Sequence, residues 1–393
     1  MLTYSQKTNN PAELFSLFCT ASEKVLYFDI ETTGLSADTS FIYLICAGFL
    51  KDGVPTLIQW FCEGPADEVN VIRAFLDFAN GFSAIIHFNG ATFDIPFVEK
   101  RAAKYGLDSM FRKLSDSAKS IDLYKKIRPY RDLFGLCGCR QKNIEAFMGI
   151  GREDKFGGGE LIEVYKQYLG RSRYDCMTHG TPLLVHKDSG LAKMPETQSE
   201  ALLYLLLLHN AEDVENLINI SALYPVLQIL EGNAGSKNTH VLTEVAECGS
   251  SVTVTFAPKC VIPVPSFCGR TGPDGTFNAD FDGQKLVLSI PVFVGELKYF
   301  YDNYKDYYYL PDEDCAIYKS AGEGVDKSRR KNATAATCYT KINSRFIPLP
   351  QAADAPIFKS DYKSRQTFIE LSSFEKLMPQ KQLEAIMKAL EKR

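Results

Sequence analysis

Apolar and polar positions alternate differently in the two parts of this chain. Val25–Ile30 (VLYFDI) is a short apolar run closed by Thr32-Thr33-Gly34, which predicts a buried strand. Two more apolar runs, Phe41–Leu50 and Val54–Cys62, flank Asp52-Gly53, a dipeptide suited to a tight hairpin turn. Asp67–Asn80 carries Val71, Phe75, Leu76 and Ala79 at helical spacing; Ser83–Phe88 predicts another strand and Phe93–Lys104 a helix. Ser199–Leu230 predicts one or two long helices. Three antiparallel strands followed by alternating helices and strands predict an α/β layer fold, a mixed sheet flanked by helices.

Beyond Glu231–Asn238 (EGNAGSKN), which is small and polar, the texture changes. His240–Val245, Ser251–Phe256 and Lys285–Val294 are rich in Val, Thr, Ile and Leu and alternate as strands do, and Gln380–Arg393 predicts an amphipathic helix. The expected organisation is a first domain over 1–232, a linker over 233–239 and a smaller β-rich α+β domain over 240–393. A length of 393 residues suits two buried cores.

Composition adds bounds. The apolar share of 45% and charged share of 23% are those of a soluble globular protein. The N-terminus lacks a basic start followed by an apolar run, and the longest apolar stretch, Ala201–Leu208, is too short to cross a bilayer. Eleven scattered cysteines fit a reduced protein, so the expected location is cytoplasmic, with no membrane association. A net charge of −4 argues against bulk affinity for nucleic acid. Phe97–Lys142, however, holds twelve Lys/Arg against five Asp/Glu, a local +7. Such an island can hold phosphates, and solvated helix faces explain it equally well.

The chemistry concentrates in acidic residues. Asp29 and Glu31 end the first strand two positions apart, so they project from one face. Asp94 follows His87-Phe88-Asn89-Gly90 and falls in the first turn of a helix, where it would also favour the helix dipole. His209 and Asp213 lie four apart and share a helix face, as many surface pairs do, but Leu202–Leu208 just upstream is almost wholly apolar. Buried polar residues there need a reason. Like charges at ~4 Å and an effective dielectric of ~20 cost about 4 kcal/mol per pair, so a carboxylate cluster needs protons or cations. Hard divalent ions with oxygen ligands meet that need.

Asp29-Ile30-Glu31-Thr32-Thr33-Gly34-Leu35, then Asn89-x3-Phe93-Asp94, then His209-x3-Asp213, is similar to the three motifs of the DnaQ-like DEDD exonuclease superfamily. Within it the chain resembles the YprB-type ribonuclease-H-like exonucleases, whose Tyr-Asn-Gly to Phe-Asp-x-Pro pattern matches Phe88–Gly90 and Phe93–Pro96 apart from its first position. Ile121–Leu123, Gln141–Glu145 and Leu161–Leu169 add to the fit, which covers roughly residues 20 to 225. The resemblance implies a ribonuclease-H-like fold and metal-dependent 3′→5′ exonuclease activity on single-stranded or frayed DNA or RNA ends. It implies that Asp29, Glu31, Asp94 and Asp213 hold two Mg²⁺ or Mn²⁺ ions. Where the family carries tyrosine, this chain has His209, which would orient or deprotonate the attacking water, or else pack as a hydrogen-bonded core histidine. Thr32, Asn89, Lys125, Lys126 and Arg128 are the expected substrate contacts, although Asn89 could simply shape its turn. Asp122 could assist the metal site or serve as a structural acceptor. The rival expectation is a non-catalytic nucleic-acid-binding or scaffold protein with the same fold. No protein partner is inferable.

Three other patterns carry less. Cys137-x-Cys139 and Cys176-x2-His179 lack a four-ligand zinc spacing. Phe156–Glu160 is glycine-rich without the ending of a phosphate-binding loop. Tyr299–Tyr309 (YFYDNYKDYYY), with Lys327–Lys331 beyond it, suits either base stacking or ordinary strands.

Overall fold

The computed structural model describes residues 1–18, 21–179, 197–233, 239–240, 246–248, 250–272, 275–349 and 355–391. They form two compact units, Met1–Tyr224 with Cys260–Pro265, and Pro225–Lys259 with Ser266–Arg393. The chain thus divides at Tyr224, ahead of the polar segment 233–239, most of which lies outside the described residues.

The first unit is built on a six-stranded sheet: β1 (Leu2–Lys7), β2 (Val25–Thr32), β3 (Ile42–Lys51), β4 (Val54–Phe61), β5 (Ala84–His87) and β6 (Lys119–Asp122). Their order is β1-β4-β3-β2-β5-β6, with β2 antiparallel to β3 and parallel to β5. The hairpin turn at Asp52-Gly53 falls where the sequence placed it, with both residues at positive φ. The edge strand β1 had escaped notice because LTYSQK is half polar and alternates from half-buried to exposed. β6 is equally faint, with only Ile121 and Asp122 buried.

Helices α1 (Glu68–Ala79), α2 (Asp94–Lys104), α3 (Asp108–Ser117), α4 (Leu123–Ile127), α5 (Gln141–Met148), α6 (Gly158–His179) and α7 (Gln198–Ile220) complete this unit. The period of two in β2 decides what each face meets. Phe28 stacks on Phe75 of α1 with ring centroids 5.3 Å apart, whereas Tyr27 bonds Ser221, just past α7, at 3.0 Å. Asp29 and Glu31 share the face of Tyr27, so they look toward α7.

α7 begins at a capping box: the Thr197 hydroxyl accepts the Glu200 amide, and Glu200 accepts that of Thr197, both at 3.2 Å. It crosses β2, β3 and β4 and is buried on several sides by α5 and α6 as well. Close approach depends on Gly48 of β3, where a Cβ would lie 2.9 Å from Ile218 Cδ1 and 3.0 Å from Val214 Cγ1. A larger residue there would force the Ile218 and Val214 side chains of α7 to shift.

The second unit is β-rich, with two helices near its C-terminus. Its largest sheet runs Phe267–Thr271, Phe277–Phe281, Leu286–Pro291, Ser251–Pro258 and Thr239–His240, with Ala246–Cys248 also paired to Ser251–Pro258. Val252, Val254 and Phe256 face inward and register with Ile290, Leu288 and Leu286. This is the alternation expected for 251–256 and 285–294. Of the strand expected at 240–245, residues 241–245 lie outside the described residues. A four-stranded and a three-stranded antiparallel sheet follow, then helices Leu371–Glu375 and Pro379–Leu390.

Candidate active site

β2 is a central strand, flanked by β3 and β5, and its register with β3 shifts between Glu31 and Thr32. Asp29 Oδ2 accepts the Asn210 Nδ2 amide of α7 at 3.0 Å. Asn210 is itself oriented by Gln59, whose Nε2 donates to Asn210 Oδ1 at 3.3 Å and to the Leu207 carbonyl at 3.0 Å. Glu31 is 8% exposed; its Oε1 lies 3.5 Å from His209 Nε2, and its Oε2 accepts the Tyr43 hydroxyl at 3.4 Å.

Asp94 reaches the same place through a tight turn after β5. Asn89 adopts a left-handed φ of 59°, and its amide donates to Asp122 Oδ1 at 2.9 Å. At the adjacent Gly90 a Cβ would lie 2.8 Å from the His87 ring and 3.0 Å from Asp94 Oδ2. Glycine therefore lets the turn pass beneath the carboxylate that opens α2. Asp94 is 6% exposed and accepts the Ile30 amide, which ties it to β2.

His209 and Asp213 project together from α7. His209 Nε2 lies 3.1 Å from Asp213 Oδ2, and His209 Nδ1 lies 2.6 Å from Asp154 Oδ2. Arg152 Nη2 bonds Asp213 Oδ1 and also Glu145 Oε1, the latter at 2.7 Å. The Asp213 carbonyl accepts Gln141 Nε2 at 2.8 Å. Glu31, His209 and Asp213 each present a ligand atom within 4.8 Å of the others, the one such group of three among the described residues.

Electrostatics separates these acids. Burial, reinforced by Asp94, Asp213 and Glu31, raises Asp29 well above the usual carboxylate range. Burial pushes Glu31 up to about 8 and Asp94 up to about 7, with nearby acids adding to both. Asp213 goes the other way: burial raises it, but bonds from His209 and Arg152 hold it below the ordinary value. Burial would lower His209, yet Asp213, Glu31 and Asp154 together carry it up to about 9. The four carboxylates singled out in the sequence therefore feel one another, and in this state the imidazolium and guanidinium balance part of their charge.

The expected substrate contacts are more varied. Thr32 is buried, with its hydroxyl donating to the Gly34 carbonyl at 2.8 Å, and Asn89 accepts the Thr92 hydroxyl at 2.9 Å. Lys125 and Arg128 are exposed, with Arg128 over the Tyr124 ring at 5.9 Å, and half-buried Lys126 lies over Tyr224 at 5.6 Å. The basic island is not one open face. Arg101 is buried against Glu68, Lys142 sits 3.4 Å from Asp154, and Lys100 pairs with Asp38 at 2.8 Å. Asp122 serves the turn and the α4 N-cap, accepting the Lys125 amide at 3.4 Å.

Asn210, Glu145, Arg152 and Asp154 were not foreseen as parts of the site. Asn210 had a signal, being a polar residue on a mostly apolar helix. Arg152 and Asp154 had none, because their partners lie 61 and 55 residues away. Elsewhere, Cys137 and Cys139 are free, and the Cys176 and His179 side chains lie outside the described residues. Around the tyrosine-rich segment, Arg329 pairs with Asp312 and Glu313, and Arg330 lies 4.6 Å over Tyr308. No described helix is long and apolar enough to cross a membrane.

Residues 26–179 match the family model described as RNase_H superfamily. The fold is ribonuclease-H-like. Two solved structures resemble the chain at a distance. One is the family B DNA polymerase from the hyperthermophilic archaeon Pyrobaculum calidifontis, at 14% identity and TM-score 0.32, covering 72% of this chain and 35% of the polymerase. The other is exonuclease I, at 14% identity and TM-score 0.28, covering 60% of this chain and 55% of that one. The chain therefore spans about a third to a half of their lengths. No curated protein matches it in sequence.

The donor set of the ribonuclease-H-like unit fits a hard divalent cation. Its oxygens come from carboxylates that burial leaves short of negative-charge compensation, and a cation would relieve the repulsion that raises Asp29, Glu31 and Asp94. Asp213 has both oxygens engaged by His209 and Arg152, so it would share itself between them and a metal ion.

Proposed function

We propose that the chain is a metal-dependent nuclease of the YprB-like exonuclease type. It hydrolyses phosphodiester bonds from the 3′ end of single-stranded or frayed DNA or RNA, with Asp29, Glu31, Asp94 and Asp213 holding two Mg²⁺ or Mn²⁺ ions. The observation that carries this reading is the convergence of three under-compensated buried carboxylates at the end of one central strand, beside His209 and Asp213. Burying mutually repelling acids destabilises a fold, so a cation-binding role explains why they stand together. When bound, divalent ions supply charge neutralisation at the phosphate and a lowered pKa for water.

The protein's own groups do the rest. Asn210 and Gln59 fix the direction of Asp29, and the Ile30 amide fixes Asp94. His209 Nε2 is the nitrogen facing the carboxylates, and in its neutral form it receives the proton of the attacking water. Lys125 and Arg128 hold the strand's phosphates, and Asn89 lines the turn beside Asp94. The test is incubation of the purified chain with single-stranded DNA or RNA labelled at either end, with Mg²⁺, Mn²⁺ or chelator. Stepwise shortening from the 3′ end that needs the cation is the expected result. No cleavage and no calorimetric Mn²⁺ uptake would leave the non-catalytic reading in its place.

A further inference from the structure

The segment 149–157 joins α5 to α6 and is fastened to α7 at three points. Arg152 bonds Asp213, the Glu153 and Asp154 amides donate to Glu212 at 2.8 and 3.0 Å, and Asp154 Oδ2 meets His209 Nδ1 at 2.6 Å. Asp154 is 8% exposed and is held in turn: its Oδ1 accepts the Phe156 amide at 3.0 Å, and Lys142 Nζ lies 3.4 Å from its Oδ2. Its carboxylate is thus aimed at the ring from a loop tied to α7.

An imidazole has two nitrogens and one plane. Once Nδ1 donates to a fixed buried carboxylate, the ring can neither flip nor spin without losing that bond, and Nε2 alone remains for chemistry. Nε2 points between Glu31 Oε1 and Asp213 Oδ2, at 3.5 and 3.1 Å. We infer that Asp154 is a positioning residue, which holds the His209 ring so that Nε2, and not Nδ1, faces the carboxylate site. This rests on the nuclease reading given above. Asp154 lies on the far nitrogen of the ring, so it acts through His209 and touches neither substrate nor reacting atoms. The competing role is purely structural: Asp154 would only pin the loop to α7.

The decisive experiment is a cycle of Asp154→Asn, His209→Ala and the double variant, assayed on single-stranded oligonucleotide with Mn²⁺. Calorimetric Mn²⁺ affinity and ¹⁵N NMR of the histidine rings accompany it. If Asp154 positions the ring, Asp154→Asn lowers kcat on the order of 10²-fold, as loss of an orienting partner does. KM and Mn²⁺ affinity stay as in wild type, and on the His209→Ala background the same substitution changes kcat no further. In wild type the His209 Nδ1 carries a hydrogen-bonded proton, and in Asp154→Asn that signal shifts. A wild-type kcat in Asp154→Asn, or an equal loss with and without His209, overturns the positioning role. So does an unprotonated Nδ1 in wild type, a measurement that needs no variant to fold. Wild-type protein that shows the Nδ1 signal but cleaves nothing overturns the nuclease reading instead, so the two failures are separable.

Discussion

Glu68, at the start of α1, is as deeply buried as any acid at the candidate site, yet its oxygens are answered from every side. Oε1 accepts Arg101 Nε at 2.7 Å and the Ile42 amide at 2.8 Å, while Oε2 accepts the Tyr105 hydroxyl at 2.6 Å and Arg101 Nη2. Arg101 also donates to the Ala37 carbonyl at 3.0 Å. This network locks α1, α2 and β3 together. Asp29, Glu31 and Asp94 sit in the same unit with acids for neighbours; only Glu31 has His209 beside it, while Arg152 pairs with Asp213. Glu68 has its counter-charge inside the fold, whereas the β2 and α2 carboxylates leave theirs to be supplied. The contrast separates an acid kept for structure from acids kept for a ligand.

The sharpest break in that comparison is expected within the site itself. Asp29→Ala and Asp213→Ala both reduce metal-dependent cleavage to background, but their metal-free stabilities move in opposite directions. Removing Asp29 relieves repulsion and holds or raises the melting temperature. Removing Asp213 takes one partner each from His209 and Arg152, which keep Asp154 and Glu145, and costs about 1–3 kcal/mol, the range for a buried hydrogen-bonding group left unsatisfied. Thermal unfolding in chelator checks the pair, and equal shifts of one sign would erase the distinction between the two acids.

The structural cluster should behave in the opposite way. Arg101→Met leaves Glu68 buried without its cation and lowers stability by about 3–5 kcal/mol, as breaking a buried pair does. At a temperature where the variant remains folded, its Mn²⁺ affinity matches wild type. Denaturant unfolding and calorimetry read the two quantities, and a loss of metal binding would show that the clusters are coupled.

A smaller effect follows from pH. Glu31 at about 8 and Asp94 at about 7 bind protons more tightly folded than unfolded, so their contribution is full near pH 4 and is lost as pH rises through those values. His209 at about 9 has the same sign from about pH 6.5 upward. Burial lowers His87 to about 4, so His87 opposes them, adding stability as pH rises from 4 and levelling off near the free-imidazole value of about 6.5. Between pH 6.5 and 8 only the falling contributions remain. The metal-free melting temperature should drop across that window, and saturating Mg²⁺ should flatten the slope. A rising melting temperature in chelator would contradict these assignments.

The smallest effect lies at the surface. Lys125→Glu with Arg128→Glu removes two phosphate contacts and flattens the logarithmic salt dependence of single-strand binding by about 1.4. A slope equal to wild type, measured by fluorescence anisotropy across a salt series, would make these residues a solvated face.

Much of the site was legible because its geometry is local. A period of two put Asp29 and Glu31 on one face, a spacing of four put His209 beside Asp213, and the Asn89-Gly90 turn announced Asp94 at the head of a helix. The basic island was only half legible. Charge can be counted along the chain, but Arg101, Lys142 and Lys100 are held by Glu68, Asp154 and Asp38, and none of these pairings is local.

The sequence by itself determined which residue types stand at the ends of which elements, because side-chain direction in strands and helices follows from backbone periodicity alone. Tertiary structure decided how those residues are charged and aimed. The close approach of α7 at Gly48 places His209 and Asp213 near β2, and a loop more than fifty residues upstream in sequence brings Asp154 and Arg152 to them. Burial raises Asp29 while Arg152 and His209 hold Asp213 down. Desolvation and charge pairing depend on distances in space, which no spacing along the chain encodes.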